Sequence, residues 1–407
     1  MKTERFSSCA LLACFVIVAA CSQSSGLSRQ YTPSANIVHH RVASPLSYGV
    51  LYSFGAAPDG SRPGAALINV GGTLYGTTAD GGKHCGPSVE CGTVFSITTG
   101  GVEKVLHSFP SPKTDGKQVM AGLVYVGGRL FGTTEYGGTT GYGTVFSITT
   151  AGAERVRYSF QYPSDGVEPE AGLLNVGGLL YGTAVRGGTH DDGSAFSVTT
   201  SGTEKVLYNF GSSSNDGEDP VAGLINVGGI LYGTTSYASS PGYGTVFSVT
   251  KSGVEKTLHG FGNGTDGRTP YAGLIDVGGM LYGTTGQGGA YGYGTVFSIT
   301  TSGTEKVLYS FAGGSDGSGP AAGLIGVGGL LYGTTASGGA YCVPPYNSCG
   351  TLFSITTGGA ETVLHSFGSA GDGAIPTAGL LDVSGTLYGT TSLGGAHNNG
   401  TVFTLTP

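Results

Sequence analysis

The stretch AGLINVGGILYGTT, residues 222–235, decides the fold of this 407-residue chain. Two short apolar runs, AGLINV at Ala222–Val227 and LYGTT at Leu231–Thr235, lie on either side of a Gly-Gly pair. A Gly-Gly pair between such runs favours a tight hairpin, because glycine adopts positive φ without steric cost. The stretch therefore predicts two antiparallel strands.

Copies of this stretch recur through most of the chain at spacings of 50 to 56 residues. Two further motifs, GTVFSI and LYSF or LHSF, recur with it and place 14 of the 17 phenylalanines at two repeat positions. Each unit holds four strand-like segments, which is typical of one blade of a β-propeller. The seven copies of LYGTT and its variants begin at Leu74, Leu130, Leu180, Leu231, Leu281, Leu331 and Leu387.

The two ends of the repeated region are out of phase with each other. The region opens at Tyr48–Phe54, a fourth segment with no unit before it, and ends at Thr401–Thr406, a third segment with no fourth after it. Pairing of these two segments would remove an open sheet edge. The sequence thus predicts an all-β fold over residues 48–407. It is a seven-bladed β-propeller of four-stranded antiparallel blades, closed by the N-terminal strand.

Composition excludes several classes of protein. The chain has 79 glycines and only 11% charged residues, yet it has 23 tyrosines. A disordered chain would show few aromatic and many charged residues. The formal net charge is −7, and Lys and Arg are scattered singly, which argues against a nucleic-acid partner.

The N-terminal 47 residues predict export. Residues 1–21 form a lipoprotein-type signal peptide, because the apolar run from Cys9 to Cys21 is too short to span a membrane. Val18-Ala19-Ala20-Cys21 resembles a bacterial lipobox, so Cys21 is expected to carry lipid; ordinary cleavage after Ala20 is the alternative. Residues 22–47 read as a flexible Ser-rich tether. We expect a monomer held at the outer membrane or cell surface through Cys21 alone, or a secreted soluble protein.

The repeated strings resemble a known family. AGLINVGG at residues 222–229 and GYGTVFSITTSGTEKVLYSF at residues 292–311 are similar to the GloVer tandem repeats of exported bacterial proteins. The resemblance covers residues 48–407 and implies export and a repetitive β fold, but no activity. LYGTT followed by Gly-Gly also distantly resembles the kelch propellers.

Two cysteine pairs lie in lengthened loops between the second and third segments of their units. Cys85 and Cys91 belong to the first unit, and Cys342 and Cys349 to the sixth. Paired cysteines in an exported protein favour local disulfides. A shared metal site is the alternative, but the first and sixth blades are not neighbours. We therefore expect no metal site and no cofactor.

An Asp-Gly pair joins the fourth segment to the next unit in every repeat. Its carboxylates, with Asp165, Asp216 and Asp266 as the candidates for ligand binding, could attract a cation or bind sugar hydroxyls. The alternative is a turn in which Asp accepts bonds from nearby backbone N–H groups. The seven residues are Asp59, Asp115, Asp165, Asp216, Asp266, Asp316 and Asp372.

Two other groups of residues are candidates because they break the repetition or carry exposed aromatic rings. In the third unit Arg186, His190, Asp191 and Asp192 replace the usual Gly, Thr and Tyr. The first three are the candidates for acid–base chemistry, and drift in one blade is the alternative. Matching loops carry tyrosines that suit sugar or peptide recognition, or packing across the loop. These are Tyr142, Tyr243, Tyr291 and Tyr293.

The function expected from these features is noncatalytic. An exported envelope lipoprotein would bind glycans or proteins through the face around the mouth of the propeller channel. One alternative is a hydrolase or lyase acting on polysaccharide, which rests on fold analogy alone. A structural surface or adhesion protein is another alternative. An enzyme would show clustered acid–base residues with shifted pKa values, and a binding protein an aromatic, largely uncharged pocket.

Overall fold

The computed structural model describes residues 46–83, 85, 91–110, 115–238, 240, 242–262, 264–342 and 348–407. The signal peptide, Cys21 and nearly all of the tether lie outside the described residues. Within the described part the chain forms short β-strands and one 3-10 helix, Gly314–Asp316. No helix in that part is long and apolar enough to cross a membrane.

Seven antiparallel sheets of four strands, here called blades, follow one another along the chain. The first strands are Ile68–Val70, Val124–Val126, Leu174–Val176, Ile225–Val227, Ile275–Val277, Ile325–Val327 and Leu381–Val383. The second strands are Thr73–Thr78, Arg129–Thr134, Leu179–Ala184, Ile230–Thr235, Met280–Thr285, Leu330–Thr335 and Thr386–Thr391. The third strands are Thr93–Thr98, Thr144–Ile148, Ser194–Thr199, Thr245–Val249, Thr295–Thr300, Thr351–Thr356 and Thr401–Thr406. The fourth strands are Glu103–Ser108, Glu154–Ser159, Glu204–Asn209, Glu255–Gly260, Glu305–Ser310, Glu361–Ser366 and, for the seventh blade, Ser47–Ser53.

The blades close into a ring, as the sequence predicts. Ser47–Ser53 pairs antiparallel with Thr401–Thr406, with Ser47 opposite Thr406 and Ser53 opposite Thr401. Each first strand also contacts the first strands of both neighbouring blades, and Ile68–Val70 contacts Leu381–Val383 across the closure. The first strands therefore surround the axis, and the N-terminal strand completes the seventh blade.

Side-chain hydroxyls join each blade to the next. The first threonine of LYGTT donates a hydrogen bond to a backbone carbonyl just before the next blade's first strand; Thr77, for example, donates to Ala121 over 2.8 Å. The bond from Thr390 to the Ala65 carbonyl, 3.3 Å long, crosses the closure. The remaining bonds run from Thr133 to Ala171, Thr183 to Ala222, Thr234 to Ala272, Thr284 to Ala322 and Thr334 to Pro376.

The hydrophobic core lies between the blades. Each buried cluster combines the tyrosine or phenylalanine of one LYGTT motif with phenylalanines of its own and of the next blade. In one cluster Tyr232 and Phe261 pack with Phe297 and Leu281. Another cluster joins Phe54 of the closing strand's segment to residues of the first blade. The repeated aromatic residues therefore form an inter-blade core.

Turns and loops on one face pair through short two-stranded ribbons. In six units the Asp-Gly turn before a blade pairs with the loop between its second and third strands; in the sixth blade a single bridge joins Ser318 to Ser337. Both kinds of loop therefore share the face around the channel mouth. The ribbons are Gly60–Ser61 with Asp80–Gly81, Gly116–Lys117 with Tyr136–Gly137, Gly166–Val167 with Arg186–Gly187, Gly217–Glu218 with Tyr237–Ala238, Gly267–Arg268 with Gln287–Gly288, and Gly373–Ala374 with Leu393–Gly394.

The glycine of LYGTT is required by close packing. Gly233 lies opposite Phe247 in the sheet, and a β-carbon at Gly233 would come within 2.7 Å of that ring. We expect Gly233→Ala to lower the free energy of unfolding by about 1–3 kcal/mol, because overpacking forces the ring to move. Thermal melts followed by circular dichroism would measure the loss.

Gly326→Ala is the matched control. A β-carbon at Gly326 would meet its nearest neighbour, a methyl carbon of Val277, at 3.6 Å, an ordinary contact distance. This variant should melt close to the wild-type temperature. Equal stability of the two variants would contradict the packing argument.

Candidate functional site

A cavity of about 460 Å³ lies across the propeller axis on the ribbon face. Six of the seven units contribute to its wall, which places it on the axis because only there do so many blades converge. Its volume falls in the range of about 300–1,000 Å³ that is typical of small-molecule sites. The lining residues are Arg62, Gly64, Ala79, Met120, Glu170, Val221, Tyr271, Thr377 and Ser392.

One repeat position supplies most of this wall. It is the residue directly before the Ala of AGL, so it precedes the first strand of its blade. Its neighbours are nearly constant, with Pro before it in six units and Ala after it in all seven. The position itself carries seven different residues: Gly64, Met120, Glu170, Val221, Tyr271, Ala321 and Thr377. We call it the variable rim position.

The backbone beneath the variable rim position is held in the same way in every unit. The residue two positions earlier has a positive φ, between 54° and 63°, although it is glycine only in the sixth unit. In the fifth unit this residue is Thr269; its N–H donates to the Tyr243 carbonyl at 2.8 Å, and its carbonyl accepts from the Gly286 N–H at 3.0 Å. Two loops thus fix a conformation that side-chain-bearing residues rarely adopt. The rim is rigid, and only its side chains vary.

Negative charge is concentrated on one sector of the rim, in the second to fourth units. Burial, and then the negative charges of Glu135, Glu168 and Asp219, together raise the pKa of Glu170 to about 7. Arg186 opposes this shift and forms an ion pair with Asp219, Nη1 to Oδ1 3.1 Å. A carboxyl group that is partly protonated near neutral pH can donate as well as accept a hydrogen bond.

The three candidates of the third unit contact different partners. Arg186 pairs with Asp219, whereas Asp191 lies at φ 67° and accepts a hydrogen bond from the Gly187 N–H over 3.1 Å. His190 is exposed in the same loop. Arg186 belongs to the acidic sector, and the contacts of Asp191 support a turn role. Catalysis by these residues stays a prediction.

The four loop tyrosines lie around the mouth, outside the residues that line the cavity. The Tyr142 ring packs at a tilt on Tyr162, with ring centres 5.7 Å apart. The Arg268 guanidinium covers the Tyr243 ring at 4.1 Å. Tyr291 and Tyr293 are the most open, with 63% and 49% of their surface exposed. Their role in ligand binding also stays a prediction.

The carboxylates of the Asp-Gly turns are engaged within their turns. Asp216 is buried; its Oδ1 accepts from the Gly217 N–H, and its Oδ2 accepts from the Ser212 N–H and the Tyr208 hydroxyl. These contacts support the turn role for Asp165, Asp216 and Asp266. In every unit a Tyr or His near the end of the fourth strand contacts the following Asp. The pairs are Tyr52–Asp59, His107–Asp115, Tyr158–Asp165, Tyr208–Asp216, His259–Asp266, Tyr309–Asp316 and His365–Asp372.

A glutamate at the start of a neighbouring fourth strand faces six of these seven Asp residues. Burial raises the pKa of each to about 7, and the negative charge of the facing Asp acts in the same direction; Glu255, for example, faces Asp216. The glutamates are Glu103, Glu154, Glu204, Glu255, Glu305 and Glu361.

These raised pKa values predict a pH-dependent stability. Between about pH 4.5 and 7 the folded chain holds protons that the unfolded chain releases, so stability falls as pH rises through 7. We expect the melting temperature to be several degrees higher at pH 5.5 than at pH 8. The Glu204→Gln/Glu255→Gln double variant should show a smaller difference, because two of the titrating groups are gone.

Asp382→Asn provides the control for this measurement. Asp382 Oδ1 accepts from the Gly385 N–H, and Asn69 makes the same contact with Gly72 in the first unit. This variant should keep the full wild-type difference in melting temperature. A wild-type melting temperature that is flat or rises toward pH 8 would contradict the prediction.

The structure contains the predicted disulfide between Cys85 and Cys91. It restrains the lengthened loop of the first blade beside the mouth. The predicted bridge between Cys342 and Cys349 stays a prediction, since residues 343–347 of that loop lie outside the described residues.

The residues that line the cavity were missed by the sequence reasoning. The candidates named from the sequence lie in the long loops and in the Asp-Gly turns, whereas Glu170 and Tyr271 stand one residue before the Ala of AGL. The signal was present as one freely varying position between two nearly constant ones. Variation within a fixed frame indicates a side chain that faces open space.

The closed ring of four-stranded blades defines this chain as a seven-bladed β-propeller with an axial cavity. The model of the Gloeobacter/Verrucomicrobia repeat family matches residues 38–196 and 155–344. The chain belongs to this family, which confirms the resemblance found in the sequence. No curated protein sequence matches the chain.

Solved structures with a similar fold have little sequence in common with it. PorZ of Porphyromonas gingivalis, an essential surface component of the type-IX secretion system, is 12% identical, with a TM-score of 0.50 over 84% of this chain and 46% of PorZ. A gluconolactonase of Xanthomonas campestris is 12% identical, with a TM-score of 0.41 over 68% of this chain and 82% of its own. The Trypanosoma rangeli sialidase is 11% identical, with a TM-score of 0.45 over 89% of this chain and 60% of its own. The likeness to PorZ supports the propeller fold, and none of the three bears on activity.

Proposed function

We propose that this chain is a noncatalytic exported protein that binds the end of a glycan in the axial cavity. The variable rim position carries this proposal, because it places seven different side chains on a rigid repeated frame. Protein binding at the same face is the alternative outcome.

The chemistry of the cavity favours a sugar. Tyr271 keeps 45% of its surface exposed and offers an aromatic face against which the C–H groups of a sugar ring can pack. Glu170 and Thr377 offer polar atoms for hydroxyl groups, and Arg62, half exposed, adds donors. The acidic sector repels anions. Neutral sugars and amino sugars therefore fit better than sulfated sugars or uronic acids.

A glycan array followed by calorimetric titration tests the proposal. We expect Tyr271→Ala to lower the affinity for the tightest-binding glycan by roughly tenfold or more, which corresponds to about 1.4 kcal/mol of binding free energy. Glu170→Gln should weaken it less, because an amide still makes hydrogen bonds. Tyr291→Ala is the control, since this more exposed tyrosine does not line the cavity.

The outcomes separate the alternatives. Loss of binding in Tyr291→Ala with full binding in Tyr271→Ala would move the site to the outer loops. If no glycan binds, the proposal fails, and a purely structural surface role becomes the better account. Capture of a defined protein that Tyr271→Ala releases would indicate the protein-binding alternative.

A second candidate, a hydrolase or lyase acting on polysaccharide, is favoured by the raised pKa of Glu170. A carboxyl group that holds its proton near pH 7 can serve as a general acid beside ionised carboxylates. In that case Glu170→Gln would abolish turnover of a polysaccharide while binding persists. Turnover that depends instead on His190 would assign the acid to the loop of the third blade.

We also propose that a lipid on Cys21 holds the protein at the outer membrane. The support is the sequence Val18-Ala19-Ala20-Cys21 at the end of an apolar run. Metabolic labelling with a fatty-acid analogue should mark the wild-type protein in the membrane fraction. Cys21→Ala should be unlabelled, and labelling of this variant would contradict the proposal.

A further inference from the structure

A β-bulge lies near the end of each fourth strand. It turns the side chain of one Tyr or His residue toward the next blade. In the fourth blade Thr257 lies opposite Phe247 and His259 opposite Val246, so Leu258 is the extra residue. Without the bulge, His259 would share a face with Glu255, because side chains alternate along a strand. The bulge sends Glu255 toward the preceding blade and His259 toward the following one.

This geometry gathers an imidazole and two carboxylates between the fourth and fifth blades. His259 Nε2 lies 3.0 Å from Asp266 Oδ2, and Glu305 of the following blade completes the group. One ligand atom from each residue lies within 4.8 Å of the other two. Asp266 is buried, and Glu305 Oε1 is buried without a hydrogen-bond partner. Three metal-ligating atoms thus converge; the buried glutamate oxygen recurs in other units, and the imidazole distinguishes this cluster from those that hold tyrosine.

Among the described residues, one other unit repeats this complete set. It consists of His107, Asp115 and Glu154. In that group His107 Nε2 lies 3.1 Å from Asp115 Oδ2, and Glu154 Oε1 is also buried without a partner. Asp115 is more exposed than Asp266, with 16% against 9% of the side chain open to solvent.

The other five units differ in one residue each, and the difference removes a ligand. Four units carry tyrosine in place of the imidazole: Tyr52, Tyr158, Tyr208 and Tyr309. In the seventh, His365 contacts Asp372, but the position of the glutamate is taken by Tyr48 of the closing strand. The Tyr48 hydroxyl donates to Asp372, and its ring stacks on His365. A neutral phenol donates a proton and is a poor metal ligand.

We propose that His259, Asp266 and Glu305 bind a divalent zinc ion between the fourth and fifth blades. His107, Asp115 and Glu154 form a second, weaker zinc site between the first and second blades. Both sites lie at the contacts of outer strands and are separate from the axial cavity. Their effect is to cross-link neighbouring blades.

The ligand chemistry selects zinc over calcium or magnesium. Imidazole nitrogen suits borderline-soft ions, whereas Ca²⁺ and Mg²⁺ prefer oxygen alone. Zinc bonds of roughly 2.0–2.2 Å in a tetrahedral arrangement separate ligand atoms by roughly 3.4 Å. The 3.0 Å between His259 Nε2 and Asp266 Oδ2 needs only a small adjustment. Two carboxylates balance the charge of the ion, and the greater exposure of Asp115 makes the second site the weaker one.

The experiment is a calorimetric titration with ZnCl₂. The sample is protein that contains residues 46–407 and has been treated with a chelator to remove bound metal. We expect two zinc ions per chain in distinguishable phases. His259→Tyr should remove the tighter phase, and His259→Tyr with His107→Tyr should remove both. These substitutions keep the fold, because four units already hold tyrosine at this position and contact Asp with it. Glu305→Gln should also weaken the tighter phase, by roughly tenfold or more.

His365→Tyr is the matched control, because its cluster has Tyr48 in place of the glutamate. This variant should bind zinc as the wild type does, and added CaCl₂ should not displace zinc. The proposal would be overturned if the wild type bound no zinc at up to about a 100-fold molar excess of zinc over protein. Full zinc binding by the double His→Tyr variant would also overturn it. Zinc should also raise the melting temperature of the wild type and of His365→Tyr, but not that of the double variant.

Discussion

The architecture depends on one bond, repeated at each step around the ring. The first threonine of LYGTT donates its hydroxyl hydrogen to a carbonyl of the next blade, as Thr234 does to Ala272 at 3.0 Å. Because the acceptor in six of the seven steps is the Ala that directly follows the variable rim position, the bond also fixes the cavity wall. In the remaining step the acceptor is Pro376, which directly precedes that position. Blade spacing and cavity shape therefore have a common cause.

Repeated and varying positions of the unit have different structural roles. Positions that repeat, such as the glycine packed on Phe247 and the ring that contacts each Asp, build the frame. Positions that vary face open space or complete a cluster, as Tyr271 does in the cavity and His259 between blades. A single exchange at an otherwise constant position, Tyr48 for glutamate, marks the blade that closes the ring. The candidate sites of the chain lie at such departures from the repeat.

The sequence predicts the fold almost completely because strand patterns and turn glycines are local signals that recur in every unit. It predicts the closure because the ends of the repeated region are out of phase. It does not reveal that Arg62 and Glu168 adopt positive φ, since loop contacts from the preceding blade impose that conformation. Nor does it pair Glu305 with His259, because the bulge that aims the imidazole and the neighbouring blade that brings the carboxylate are both non-local. Both features arise only when neighbouring blades pack together, so no single repeat carries a signal for them.

The closing strand has a consequence for how the molecule is made. Ser47–Ser53 is the first part of the propeller to leave a ribosome or a translocation channel, and its acceptor Thr401–Thr406 is the last. Blades one to six can assemble in order behind it, but the early strand must wait for its hydrogen-bond partner until Thr401–Thr406 has emerged. The ring of blades can therefore close only after the strand Thr401–Thr406 has been delivered.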